Sequence, residues 1–188
     1  MEVIMNQAAI QQKPNFSLIW RGVAGGIISG IIFAMAEMIL NVLMGKPFLG
    51  PLKLISSVVL GKQAVAPTYP LASALVVGLI THMIMSMIFG LIFIYLLTAV
   101  RQLQASTGRL LVYGSLFGLA LWVVNFQILA PVLFPQFTTV NQFWNGFFAH
   151  TFFFGTMIGG YMSIVAPKRE VVEAQSEART AVHGHSHS

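Results

Sequence analysis

The sequence predicts an all-α membrane protein: a four-transmembrane-helix bundle with a short interfacial helix between spans one and two. Three observations carry this reading. Hydrophobic residues make up 56% of the 188 positions and charged residues only 8%, against about 25% charged in an ordinary soluble domain. Four apolar runs, Gly22 to Met44, Leu71 to Val100, Leu110 to Phe134 and Phe143 to Ala166, reach the ~20 residues that a helix needs to cross a hydrocarbon core. None of them alternates with a period of two, and all exceed the ~10 residues of a membrane strand. Helix follows, because lipid offers backbone groups no partner outside their own segment.

These properties exclude several function classes. The net charge of +5 would suggest nucleic acid in a soluble protein, but the cations flank apolar runs instead of forming one basic face, so no nucleic-acid partner is expected. There is no cysteine, hence no disulfide framework. The first span starts late and lacks a basic leader, unlike a cleaved signal peptide. The chain then divides into a polar N-terminal segment over 1–16, a transmembrane domain over 17–166 and a polar tail over 167–188 that reads as disordered. Too little chain lies outside the spans for a phosphate loop or a hydrolytic triad, so a non-enzymatic role is expected.

Orientation comes from the basic residues. Lys13, Arg21, Arg101, Arg109, Lys168, Arg169 and Arg179 lie on one side of the four spans, and Lys46, Lys53 and Lys62 on the other. Seven against three predicts both termini in the cytoplasm. On the opposite side, Pro51 to Gly61 has proline at a helix start and glycine just past its end. Too short to span, it is expected to lie in the outer interface, since Leu52, Ile55 and Val59 recur at helical spacing with Lys53, Ser56 and Ser57 between them.

Laying the two helical hairpins over each other suggests an internal repeat of two parallel two-helix units. Arg21, Gly26, Gly30 and Glu37 match Arg109, Gly114, Gly118 and Asn125 at an offset of 88, and Pro67, Tyr69, Gly78, His82 and Phe93 match Pro135, Phe137, Gly146, His150 and Tyr161 at an offset of 68. Such repeats occur in transport proteins. Gly22, Gly26 and Gly30, with Gly114 and Gly118, form small-residue stripes suited to close helix packing.

Ionisable groups inside a span are costly and ask for an explanation. Here they are Glu37, His82 and His150, with Asn125 as an uncharged companion. At 1.5 Å rise per residue, Glu37 and Asn125 sit ~24 Å along the helix from their flanking arginines, and the histidines ~20 Å from the other end, so tilt could bring all four into one cluster. Four readings stay open. The set is polar glue between helices; or His82, His150 and Glu37 ligate a transition metal; or the two histidines are axial ligands of a b-type haem; or the group relays protons or binds a solute. No bound cofactor is expected on the first reading. The terminal array His183, His185 and His187 reads as a solvated tail with weak metal affinity.

The succession of Glu37 after a glycine-rich span, His82, Ser86, Phe89 and Gly90, then Gly114, Gly118 and Trp122, and finally His150, resembles the YagU-like inner-membrane proteins of bacteria. The resemblance covers the four spans. It implies a small four-helix inner-membrane protein and supplies no substrate. With span four rich in aromatic residues, the sequence favours an accessory or scaffold subunit in contact with lipid and with other membrane subunits or itself; small-solute or proton transport is the alternative.

Overall fold

The structure, a computed structural model, describes residues 16–99, 106–140 and 143–165. Within them the chain is all-α. Helix α1 covers Phe16–Leu43, α2 Gly50–Leu60, α3 Leu71–Ala99, α4 Thr107–Leu133 and α5 Phe143–Val165. All but α2 are long and apolar enough to cross a membrane, so this is a multi-pass membrane protein. The expected polar tail with its three histidines, most of the polar N-terminal segment, and Lys13, Arg101, Lys168, Arg169 and Arg179 lie outside the described residues.

Local chemistry sets the helix ends. The first span starts at Phe16, ahead of the expected Gly22, so that Trp20 and Arg21 are helical. The third starts ahead of Leu110 because Ser106 caps it, its Oγ accepting from the Arg109 N–H at 3.4 Å. Gly61, at φ +79°, closes α2 and donates its N–H to the Ser57 carbonyl; a side chain there would be strained.

The sequence predicts uninterrupted α-helix in spans three and four, and the structure departs from this. Val123–Leu129 of α4 and Ala149–Thr156 of α5 are π-helical. In α4 the cause is Pro131, which has no N–H for the Gln127 carbonyl and whose ring crowds the preceding turn. The turn before it widens, and the Ala130 N–H reaches back to Asn125. In α5 Thr156 Oγ1 donates to the Thr151 carbonyl of the widened stretch at 3.3 Å, and His150 Nδ1 donates to the Gly146 carbonyl in the turn before it at 2.9 Å.

Helix α1 packs along α3, and α4 along α5; α1 and α5 join the two hairpins, while α2 sits on α3. Each hairpin is fastened by glycine. A Cβ on Gly26 would lie 2.2 Å from the Ser86 carbonyl oxygen, and one on Gly90 would lie 2.2 Å from that of Gly22. In the second hairpin a Cβ on Gly114 would lie 2.2 Å from the Gly155 oxygen, one on Gly118 2.0 Å from that of His150, and one on Gly159 2.2 Å from that of Leu110. Backbones approach this closely only where side chains are absent.

The two hairpins therefore use equivalent contacts, with one informative slip. His82 and His150 correspond at an offset of 68, but Ser86 corresponds to Gly155 and Gly90 to Gly159 at an offset of 69. A π-turn is a one-residue insertion in an α-helix. The extra residue lies in the π-helical stretch of α5, so both the histidine and the glycines keep their places against α4.

At the end of the bundle away from α2, Phe93, Ile94 and Leu97 of α3, Leu110 of α4, and Phe154, Ile158 and Met162 of α5 form a tightly buried core. In α2, Leu54, Ser56 and Ser57 are buried and Val59 is exposed, so the two serines turn toward the bundle. Ser56 and Ser57 can turn inward because each hydroxyl donates to a carbonyl three residues back, Ser56 Oγ to Lys53 at 2.7 Å and Ser57 Oγ to Leu54 at 2.6 Å. Ser57 Oγ also accepts from Gln136 Nε2 at 3.0 Å, which ties α2 to the chain after α4.

Candidate functional site

Between α2 and the buried core the four long helices leave a partly open cavity of about 220 Å³. Most of its wall is apolar: Phe33 and Met38 of α1, Leu52, Ile55 and Val58 of α2, Met85 and Phe89 of α3, Leu121, Phe126 and Leu129 of α4, and Phe154 of α5. Glu37, His82, Asn125 and His150 all line the same space. Four polar groups from four helices, spread over the whole sequence, thus meet at one site.

Their bonding differs from what spacing alone implies. Glu37 is buried, and its Oε2 accepts from Asn145 Nδ2 of α5 at 3.0 Å, not from a histidine or from Asn125. His82 Nε2 donates across the hairpin to the Gly30 carbonyl at 2.9 Å. Gly30 makes this reach feasible, since a Cβ there would lie 2.4 Å from Ser86 Oγ. His150 instead bonds within its own helix, Nδ1 to the Gly146 carbonyl at 2.9 Å. Both contacts fix tautomers, because a carbonyl oxygen can only accept.

Phe33 lies between the two imidazoles. Its ring stacks on His82 at 5.5 Å between centroids and meets His150 edge-on at 4.6 Å. An axial haem pair needs both imidazoles to present a nitrogen to one iron across a clear gap; each ring keeps one nitrogen outside its backbone bond, but the Phe33 ring stands against both. Among the described residues no group of three His, Cys, Asp or Glu side chains is placed to hold a metal ion. The geometry gives the metal and haem readings no support.

Asn145 is the site residue that sequence reasoning misses. Aligning the hairpins hides it, because its counterpart at an offset of 68 is Val77. A signal exists: Asn145 is an amide inside an apolar run, five positions before His150. Its Oδ1 is buried without a donor, as Trp122 Nε1 beside Gly146 is without an acceptor.

The cavity is partly open. α3 and α4 approach near the buried core, where the Phe93 and Phe117 rings are 5.1 Å apart, but their backbones do not run side by side. Thr81, Met85 and Phe89 on α3 thus face Leu121, Asn125 and Leu129 on α4 across the cavity. Comparison with family models, curated proteins and solved structures returned no match. Fold and cavity by themselves define the class: a multi-pass α-helical membrane protein with a partly open chamber inside its bundle.

Proposed function

We propose that the protein binds a membrane-soluble small molecule in this chamber, taking it from the bilayer between α3 and α4. The observation that carries the reading is one cavity of about 220 Å³ with a largely apolar wall into which Glu37, His82, Asn125 and His150 converge, beside the hydroxyls of Thr81 and Ser86. Ligand sites have this character, an apolar enclosure with a few convergent polar groups that fix orientation, and intramembrane ionisable residues mark such sites. The role is binding, as a carrier or as one step of transport, and not catalysis. Both termini are cytoplasmic on the seven-to-three basic asymmetry. The YagU-like resemblance is what points to the inner membrane, and it adds no ligand.

The test is purification in mild detergent followed by organic extraction and mass spectrometry of wild type and Ala34→Trp, which fills the chamber from α1. A compound retained near stoichiometry by the wild type and lost from the variant is expected. Equal retention by both, or none by either, would overturn the reading.

A scaffold role is the second reading, favoured by α5. Trp144, Phe148 and Phe152 are exposed on one face, with centroids 6.3 and 6.0 Å apart in succession. Aromatic rows of this kind pack against other membrane subunits. Co-migration with larger subunits in native electrophoresis, abolished by Trp144→Ala with Phe148→Ala, supports it; migration as the isolated chain rejects it.

A further inference from the structure

We propose that the head group of the bound molecule is a hydrogen-bond donor, a ring bearing hydroxyls of the quinol class, and that the corresponding quinone is discriminated against. This rests on the chamber being a binding site.

The argument follows the lone pairs. His82 donates from Nε2 to Gly30, so in the neutral ring Nδ1 is left as an acceptor without a proton. His150 donates from Nδ1 to Gly146, and Nε2 is left in the same state. An imidazole with one N–H already committed can only accept at the other nitrogen. Glu37 accepts an amide at Oε2, but a carboxyl that carries a proton donates as well as accepts and does not discriminate. Two acceptor-only imidazoles therefore line one apolar cavity. Thr81, Ser86 and Asn125 also line it, but hydroxyls and amides donate as well as accept and do not discriminate.

An empty acceptor in an apolar site is costly when a guest desolvates it without donating to it. A quinone presents only carbonyl oxygens and would face lone pair with lone pair; its quinol has the same body with O–H groups. The surroundings fit a flat ring: Phe33 and Phe126 stand edge-on to His150 at 4.6 and 5.1 Å, and Phe154 stands edge-on to Phe33 at 6.3 Å. Offset and edge-to-face contacts of this kind favour an aromatic guest.

The experiment uses the full chain in lipid nanodiscs and a matched pair, decylbenzoquinol kept reduced under argon and decylbenzoquinone, with decylammonium as a third probe. Binding is read by equilibrium dialysis and by thermal shift. The quinol is expected to bind at least tenfold more tightly than the quinone. His150→Phe, which keeps a ring but removes the acceptor, is expected to bring that ratio close to one while quinone binding stays within twofold. Circular dichroism and melting confirm that this variant is folded; His82→Phe provides an independent second variant. Quinone binding equal to or tighter than quinol, or an unchanged ratio in both folded variants, overturns the donor-head proposal and leaves the chamber reading intact. Tighter binding of decylammonium overturns it in favour of a cationic guest. If no probe binds, the donor-head proposal fails, and retention of an extracted compound in the Ala34→Trp comparison decides separately whether the chamber binds anything.

Discussion

Glu37 and Asn145 are 108 positions apart and share a 3.0 Å hydrogen bond that joins the first helix of one hairpin to the second helix of the other. Both are buried. The contact clamps α1 to α5 beside the cavity, at the level where the two hairpins must hold together.

A double-mutant cycle of Glu37→Leu and Asn145→Leu measures that clamp. The coupling is expected to be about 0.6 to 1.7 kcal/mol, the range of interhelical hydrogen bonds in membranes. Unfolding in mixed micelles with increasing sodium dodecyl sulfate gives the four free energies. Additive losses would show that the bond contributes nothing beyond side-chain packing.

Glycine positions differ sharply in what they tolerate. A Cβ at Gly118 would lie 2.0 Å from the His150 oxygen, while one at Gly108 meets nothing within 4 Å. Gly118→Ala is expected to lower stability by roughly 1–3 kcal/mol, as overpacking does. Gly108→Ala should be neutral or slightly stabilising, since alanine favours helix. Equal midpoints in the same unfolding assay would contradict the close approach of α4 and α5.

Deleting one residue inside a membrane helix normally turns everything beyond it by ~100° and destroys its packing. Deletion of Phe153 is expected to be tolerated, because it removes the extra residue of the π-helical stretch and restores the four-residue spacing that separates His82 from Ser86 in α3. A deletion at Ile164, beyond the π-turn, serves as the comparison for insertion yield. Deletion of Leu91 in α3, which has no π-turn, should abolish folding. Loss of the folded protein in the Phe153 deletion would reject the one-residue account of the 68-to-69 slip.

Reporter fusions after Ala166 and within 136–140 test orientation. Cytoplasmic activity from the first and periplasmic activity from the second are expected from the basic asymmetry. Adding two lysines beside Gln136 should weaken the bias, and a periplasmic C-terminal reporter in the unaltered chain would reject the assignment.

The sequence by itself determined the number and type of the spanning helices, because length, apolarity and backbone satisfaction in lipid are local requirements. It also determined α2, from Pro51 and Gly61, and marked out Glu37, His82, Asn125 and His150 as anomalies in an apolar setting. Only the tertiary structure decided their partners. Asn145 is adjacent to Glu37 through the packing of α1 on α5, a relation that no periodicity within either helix encodes. The inward serines of α2 belong to the same category, since three-residue hydroxyl-to-carbonyl bonds make burial affordable only once α3 and Gln136 supply the surface. The π-turns lie between the two: Pro131 announces the first, but the second is visible only when Gly155 and Gly159 are seen against Gly114 and Gly118. The cavity is the last of these decisions, because a volume lined by five helices is a property of how they pack and of no single segment.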